Sequence, residues 1–148
     1  MSYGPDQILE GDGKSDYERY LKLSELLKLQ PTKEAWKHRD ELLFTVVHQT
    51  SELWLKHATA EATQALVFLK NNEIRPALRL FSRIFLAIKY CHESLDMLEQ
   101  MSPWDYQQVR RALGHGSGFD SPGMNSMRKA IPPLGIEFKR LLNVEKID

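Results

Sequence analysis

The chain contains 148 residues, which is the size of one ordinary domain. Twenty Lys and Arg residues balance twenty Asp and Glu residues, so the basic excess typical of a nucleic-acid-binding protein is absent. The single cysteine, Cys91, excludes an internal disulfide framework and a zinc site built from several cysteines. Short apolar runs and a polar, glycine-bearing N-terminus predict a cytoplasmic protein without a membrane-spanning helix.

The N-terminal part is predicted to be a flexible arm followed by a helix. Residues 1–14 contain three glycines and a proline, which disfavour regular structure. Ser15 and Glu18 then have the spacing of a capping box, in which each side chain binds a backbone N–H group near the helix start. Tyr and Leu residues at helical spacing extend this helix over residues 16–29, and Pro31 ends it.

The middle of the chain holds two long helical patterns. The first, residues 32–70, contains no Gly or Pro, and its apolar side chains surround the helix, as in a buried or interfacial helix. In the second, residues 74–100, apolar side chains repeat every three or four positions. Asn71 and Asn72 separate the two patterns, so the sequence predicts a long antiparallel helical hairpin.

The strongest local helix signal follows the hairpin. Ser102 fits the N-cap position, Pro103 the first helical position and Asp105 the first turn. This helix is expected to end near Leu113, because Gly114 follows it. Local signals alone therefore predict where the helix begins and where it ends.

The C-terminal part is predicted to be a loop and two short helices. Residues 114–123 contain too many glycines for a helix, and Pro132 and Pro133 separate the two helical stretches expected around them. No segment has the alternating pattern of a convincing strand. Residues 15–148 are therefore predicted to form one all-α domain, a helical bundle built on the hairpin.

His48 is the first candidate for chemistry, because it lies in a strongly apolar segment with Phe44 one helical turn before it. A histidine in that setting acts as an acid or base, or binds a metal. The simpler alternative is a core histidine whose ring binds a backbone carbonyl. His48 and Glu52, like His57 and Glu61, are also four residues apart, which is the spacing of surface pairs on a helix.

Arg110 is the second candidate. It follows Tyr106 by one helical turn and precedes the glycine-rich segment, so its guanidinium can bind a carboxylate while loop N–H groups assist. The alternative is a surface arginine that interacts with the helix C-terminus, a role for which Arg111 competes. The loop sequence GHGSG lacks a P-loop lysine and a preceding strand, which disfavours phosphate binding.

Four segments together resemble one protein family. Over roughly residues 15–125 the chain contains, in this order, DYERYLKLSELLKLQ, RDELLFTVVHQTSELWLK, MSPWDYQQVRRALG and GSGFDS. They resemble tryptophan 2,3-dioxygenase, a family of haem enzymes that open the indole ring of tryptophan to give N-formylkynurenine. The resemblance implies an all-α, dioxygenase-like bundle, a b-type haem, dioxygen and L-tryptophan or a related indole amino acid as substrates, and a homotetramer.

The resemblance also implies roles for individual residues. His48 matches the distal histidine over the open face of the haem, near the indole nitrogen, and Arg110 matches the arginine that binds the substrate carboxylate. The other implied substrate contacts lie on the same helices and on the glycine-rich loop: Phe44, Tyr106, Leu113, Ser117 and Gly118. Tyr17 and Tyr20, near the N-terminus, match aromatic residues that in the family reach into the neighbouring subunit's site.

The resemblance leaves the iron ligand unassigned. The family's proximal haem histidine lies in a C-terminal half for which this chain has no matching segment, and neither His92 nor His115 has the matching context. Asp120 stands where the family usually has glutamine, and Arg39 where it often has histidine. Two functions are therefore weighed: a haem-dependent dioxygenase acting on L-tryptophan or a substituted tryptophan, and a non-catalytic truncated homologue that binds a ligand or another chain.

Overall fold

The computed structural model describes residues 8–145, which form an all-α structure, as predicted. Six α-helices follow one another within these residues: α1 (Asp16–Leu21), α2 (Leu23–Leu26), α3 (Glu41–Lys70), α4 (Ile74–Glu99), α5 (Pro103–Ala112) and α6 (Pro122–Glu145). Short 3-10 helices at Lys33–Ala35 and Gly118–Asp120 precede α3 and α6. This described part of the chain contains no strand, and none of its helices combines the length and the apolar content that a bilayer span requires.

Helices α3 and α4 form the long antiparallel hairpin that the sequence predicts. Residues 71–73 connect them, and Asn72 turns the chain with a left-handed φ of 59°. Five alanines of the hairpin are almost completely buried, and their small side chains let the helix axes approach closely: Ala58, Ala62, Ala65, Ala77 and Ala87. Cys91 lies further along α4, where partial burial raises the pKa of its thiol.

Helix α3 begins at Glu41 rather than at Thr32, so its predicted start is wrong. A short 3-10 helix, Lys33–Ala35, stands in the intervening segment. The Glu41 carboxylate then accepts hydrogen bonds from the backbone N–H groups of Lys37 and His38, at 2.7 and 2.9 Å. In a helix that began at Thr32, these two N–H groups would bind carbonyls of the preceding turn. Here the Glu41 side chain binds them instead. The pattern of apolar residues does not predict this contact.

The first predicted helix is broken into α1 and α2 at Lys22, whose φ of 51° is left-handed. No glycine marks this position, so the continuous helix predicted to Leu29 is wrong. The predicted capping box is half confirmed, because the Ser15 side chain accepts a hydrogen bond from the Glu18 backbone N–H. The Glu18 carboxylate binds the N–H of Lys14 instead of returning to Ser15.

Residues 1–7 of the predicted flexible arm lie outside the described residues. In the remainder of the arm, the backbone N–H groups of Ile8 and Leu9 donate to the Asp16 carboxylate, and these bonds lower the pKa of Asp16. Arg19 donates to the carbonyls of Leu9 and Gly13. The described end of the arm thus lies against α1, while the flexibility of the arm stays a prediction.

Helix α6 is one continuous helix that contains Pro132 and Pro133, so the prediction of two short helices around them is wrong. An internal proline removes a helical hydrogen bond and costs about 3 kcal/mol or more. Packing of the whole helix on the hairpin compensates for this cost, because Met127, Leu134 and Leu141 on one side of α6 are buried. The two prolines themselves are exposed.

Helix α5 lies beside the start of α3 and begins as predicted. The Ser102 side chain accepts a hydrogen bond from the Asp105 backbone N–H at 3.1 Å. His38, just before α3, binds the Asp105 carboxylate through Nε2 at 3.2 Å, while its Nδ1 accepts a hydrogen bond from the Asp40 N–H. With Val109 buried beneath it, α5 is held so that its exposed side faces the first turns of α3 across a cleft.

Candidate functional site

An open cleft of about 510 Å³ lies between the start of α3, helix α5 and the glycine-rich loop. Seven of the nine site residues predicted from the sequence line it, although they come from three separate segments: Phe44, His48, Tyr106, Arg110, Leu113, Ser117 and Gly118. The structure thus brings together an imidazole, a guanidinium, two aromatic rings and a glycine-rich loop in one cavity. A cavity of this size and composition is typical of a small-molecule site.

His48 lines the cleft as an exposed side chain, so the alternative of a buried core histidine is wrong. The backbone contact expected in that alternative is nevertheless present, because His48 Nδ1 lies 2.8 Å from the Phe44 carbonyl oxygen. A carbonyl only accepts, so Nδ1 carries a proton, and in the neutral ring Nε2 then keeps its lone pair. The ring is therefore held in one tautomer, with a hydrogen-bond acceptor on its second nitrogen.

Aromatic rings form the apolar wall of the cleft. The Phe44 and His48 rings are stacked, with centroids 4.0 Å apart, and the Tyr106 ring lies 6.5 Å from Phe44 at 45°. Leu113, at the end of α5, adds a side chain that is 42% exposed. A wall of this kind suits a flat, largely apolar ring, which it contacts through both stacking and edge-on arrangements.

Arg110 lines the cleft from the last turn of α5, and its Nη1 donates to the Gly114 carbonyl at 2.5 Å. The alternative of an arginine bound to the helix C-terminus is thus confirmed as a contact of this structure. That single bond leaves the guanidinium with further N–H donors. Arg110 has no carboxylate partner within residues 8–145, whereas Arg111 binds Gln108 outside the cleft.

The glycine-rich loop forms the third wall, and its shape depends on both glycine and side-chain hydrogen bonds. Gly114 leaves α5 with a left-handed φ of 63°, which favours glycine. Ser117 and Asp120 form a capping box, in which the Asp120 carboxylate accepts from the Ser117 N–H at 2.9 Å. Ser117 and Gly118 thereby line the cleft.

Five residues that line the cleft were not predicted from the sequence: Glu52, Leu98, Gly116, Asp120 and Ser121. Glu52 was expected to form a surface pair with His48, and this expectation is wrong. Its carboxylate instead binds Ser121 and the Gly123 N–H, which lie 69 and 71 positions away. Sequence spacing reveals neighbours within one helix, but gives no signal for partners at that separation.

The other expected pair, His57 and Glu61, is present at 3.9 Å.

Tyr17 and Tyr20 are the two predicted site residues that do not line the cleft. Both lie on the short helix α1, and their side chains are 69% and 77% exposed. Solvent-exposed rings at this position are available for contact with another chain. Their role in a neighbouring subunit's site stays a prediction.

His38, Asp40 and Asp105 form the tightest group of possible metal ligands in the described part of the chain, with ligand atoms within 4.8 Å of one another. Both ring nitrogens of His38 already have hydrogen-bond partners, the Asp40 N–H and the Asp105 carboxylate. The three residues therefore link the start of α3 to the start of α5. A metal ion would have to displace these bonds, so we assign the group a structural role.

The comparisons with known proteins identify the family of this chain. Residues 4–130 match the family model of tryptophan 2,3-dioxygenase. The tryptophan 2,3-dioxygenases of Myxococcus xanthus and Arthrobacter sp. are each 35% identical to this chain, over 117 and 143 residues, which is 79% and 97% of the chain. That of Erythrobacter litoralis is 40% identical over 112 residues, or 75% of the chain.

These matches cover only part of each relative: 40% of the Myxococcus enzyme, 49% of the Arthrobacter enzyme and 41% of the Erythrobacter enzyme. The chain thus spans less than half the length of these curated relatives. The matched residues include every part of the cleft, from α3 through α5 to the glycine-rich loop. On the match of the family model to most of its residues, the chain belongs to the tryptophan 2,3-dioxygenase family.

Proposed function

We propose that the cleft is the substrate side of a tryptophan dioxygenase site, and that the chain acts in the haem-dependent opening of the indole ring of L-tryptophan, or of a substituted tryptophan, to N-formylkynurenine. The observation that carries the proposal is the meeting of Arg110, His48 and the Phe44 ring in one cavity. A cation for a carboxylate, an acceptor for an N–H group and a flat apolar wall are the features that an indole amino acid requires.

Arg110 binds the substrate carboxylate in this proposal. Its guanidinium has donors beyond the one used by Gly114 and offers the two parallel hydrogen bonds that a carboxylate accepts. The indole ring then lies against Phe44 and Tyr106, which supply an apolar surface of matching shape. Ser117 and Gly118 close the cleft on the loop side, and their backbone N–H groups assist in holding the substrate.

His48 orients the indole in this proposal. Because Nδ1 donates to the Phe44 carbonyl, Nε2 is the nitrogen that accepts a hydrogen bond from the indole N–H. The bond to the Phe44 carbonyl sets the tautomer, and the stacking of the two rings at 4.0 Å holds the plane of the imidazole. This role is one of orientation through a hydrogen bond and does not require His48 to remove a proton.

The residues of the cleft would hold a haem group only in part. His48 and the apolar wall of Phe44, Tyr106 and Leu113 would lie beside the group together with the substrate, and His48 is the one histidine that lines the cleft among residues 8–145. We therefore assign no iron ligand in this chain. When bound, haem b would supply the activation of dioxygen, while the residues named here bind and orient the substrate.

A non-catalytic function is the second candidate, because the chain spans less than half the length of its relatives. Arg110, His48 and Phe44 line the cleft whether or not iron is bound nearby, so the cleft could bind an indole amino acid without converting it. Such a homologue would act as a ligand-binding or interaction module. The two candidates differ in whether haem binds and whether tryptophan is consumed.

The test is to titrate the protein with hemin, record the absorption spectrum, and then assay N-formylkynurenine formation from L-tryptophan under air and reductant. A shifted Soret band together with product supports the dioxygenase. Tryptophan binding without a Soret shift or product supports the ligand-binding module. Neither haem binding, product nor tryptophan binding would contradict the proposed function in both forms.

We further propose that the protein forms homo-oligomers, with the homotetramer as the expected state. A groove of about 620 Å³ runs between α4 and α6, and its walls are apolar apart from Arg128. Several large side chains on or beside this groove are at least 40% exposed: Phe85, Ile88, Met124, Ile131 and Phe138. Apolar patches of this kind are rare on monomeric proteins and promote association.

Light scattering at micromolar concentration tests this proposal. We expect a mass that is a multiple of the chain mass, because association buries the exposed side chains of α4 and α6. Replacing Ile131 and Phe138 with serine should shift the distribution toward smaller species. A monomeric mass for the unmodified chain would contradict the prediction.

A further inference from the structure

Glu52 joins the start of α6 to the middle of the site-bearing helix α3. One carboxylate oxygen accepts a hydrogen bond from the Ser121 hydroxyl, and the other accepts from the Gly123 backbone N–H at 2.8 Å. Glu52 is itself partly buried and lines the cleft one helical turn after His48. A single side chain therefore contacts both the cleft and the segment that follows the glycine-rich loop.

These bonds satisfy the first turn of α6. Pro122 has no N–H group, the Gly123 N–H binds Glu52, and the Met124 N–H binds the Ser121 hydroxyl at 3.0 Å. Ser121 is thus the N-cap of a long helix, and its hydroxyl donates to Glu52 while it accepts from Met124. A negative charge at this end is favourable, because the free N–H groups give a helix N-terminus a partial positive charge.

Gly123 permits this arrangement, because α6 lies too close to α3 there for a side chain. A Cβ atom placed on Gly123 would lie 2.6 Å from the Glu52 carboxylate and 2.7 Å from the Leu55 Cβ. Neither distance is compatible with ordinary packing. The absence of a side chain at residue 123 is therefore what lets the backbone N–H reach Glu52.

A charged side chain binds the glycine-rich loop near each of its ends, and the two attachments differ in kind. At its start, the Gly114 carbonyl binds Arg110, the residue proposed to bind the substrate carboxylate. At its end, Ser121 and Gly123 bind Glu52, which has no assigned substrate contact. A carboxylate ligand would bind the same guanidinium as the first attachment, through its remaining donors, and has no group in common with the second.

We propose that Glu52 is a positioning residue, which holds the loop of residues 114–121 as one wall of the cleft through its bonds to Ser121 and Gly123. Its effect on substrate is indirect, because it places Ser117 and Gly118 rather than binding the ligand itself. The link between loop position and ligand affinity rests on the proposed function; the holding of the loop by Glu52 does not.

Hydrogen–deuterium exchange of the loop tests the first part without any ligand. In Glu52→Ala we expect the amides of residues 114–121 to exchange faster by about tenfold or more, since two charge-assisted hydrogen bonds are lost. Glu52→Gln should restore slow exchange, because an amide can accept from Gly123 and donate to Ser121. Glu61→Ala is the matched control, since Glu61 lies on the same helix but pairs with Arg83.

If Glu52→Ala does not fold, Ser121→Ala tests the same attachment, and a several-fold acceleration confined to the loop is expected from it. Exchange in the loop that is the same in Glu52→Ala, or in Ser121→Ala, as in Glu61→Ala would overturn the assignment. Faster exchange spread over α3, α4 and α6 alike would also overturn it, because that result describes a general loss of stability.

Isothermal titration with L-tryptophan tests the second part. If the unmodified chain binds tryptophan, Glu52→Ala should raise the Kd by about tenfold while Glu52→Gln stays close to the unmodified value. An unchanged Kd with an accelerated loop would overturn the link to binding. If the unmodified chain binds no tryptophan, the proposed function fails, and the exchange experiment still decides whether Glu52 holds the loop.

Discussion

Replacement of Arg110 by leucine is expected to weaken L-tryptophan binding by about 2–5 kcal/mol, since it leaves the substrate carboxylate without its ionic partner. That loss corresponds to a Kd raised about thirtyfold to several thousandfold. The expectation follows from the position of Arg110 in the cleft wall, half-buried and without a carboxylate partner in residues 8–145. Isothermal titration with L-tryptophan measures the effect directly.

Arg111 provides the matched control, because it is the same residue type on the same helix but points away from the cleft. Its guanidinium lies 3.5 Å from the Gln108 side chain and its residue is exposed. Arg111→Leu should change the Kd by less than about threefold, as expected for a surface cation. Equal losses in the two variants would show that the general charge of α5, rather than a specific pairing, determines affinity.

Tryptamine, which lacks the carboxylate, separates recognition of the ligand from damage to the cleft. Arg110→Leu also removes the hydrogen bond to the Gly114 carbonyl, so the loop start loses one attachment. If the pairing of Arg110 with the carboxylate explains the loss, the unmodified protein should bind tryptamine more weakly than tryptophan. Arg110→Leu should then bind tryptamine about as well as the unmodified protein does. A further large loss of tryptamine affinity in the variant would assign the effect to the loop instead.

Local sequence signals predicted the parts of the fold whose causes are local. The hairpin turns at residues 71–73, where Asn72 takes a left-handed φ, and α5 begins at Ser102, whose side chain binds the Asp105 N–H. The continuity of α6 across Pro132 depends instead on packing against the hairpin, which overrides the preference of proline. The break at Lys22, an exposed residue, has no signal in the sequence.

The cleft residues likewise divide into those that local sequence spacing predicted and those that only contacts between distant segments bring together. Phe44 and His48, or Tyr106 and Arg110, are related by one helical turn, so each pair could be placed on one face before any fold was known. The meeting of the two faces depends on contacts that cross the chain, such as the bond between His38 and Asp105. Glu52 was missed for this reason, because its partners Ser121 and Gly123 are distant in sequence.

Replacement of Leu55 by alanine is expected to lower the free energy of unfolding by about 2–5 kcal/mol. Leu55 is 4% exposed and packs with Ala58, Ala87 and Met127, so its side chain contacts α4 and α6 as well as its own helix. Its loss leaves a cavity where three helices meet. Small domains have only about 5–15 kcal/mol of stability, so the variant would lose a large fraction of it.

Leu53→Ala is the control for this prediction, because Leu53 lies on the same helix but is 52% exposed. It removes the same atoms from a surface position, so it should cost less than about 1 kcal/mol. Urea unfolding followed by circular dichroism, at one fixed protein concentration, measures the stability of both variants. Leu55→Ala should lower the urea midpoint and leave the slope of the free energy against urea unchanged. Equal losses would mean that association buries Leu53 as deeply as folding buries Leu55.

The position of Leu55 also connects stability to the site. Its Cδ1, which the substitution removes, lies beneath Gly123, 3.1 Å from where a Cβ of that residue would be, and Gly123 is the residue through which α6 binds Glu52. A cavity at residue 55 therefore lets the first turn of α6 move toward α3, and the loop that ends at Ser121 moves with it. Leu55→Ala should accordingly speed amide exchange in residues 114–121 by more than the loss of global stability alone would cause. Leu69 is buried at the far end of α3, so Leu69→Ala should speed exchange in this loop only as much as its loss of global stability causes.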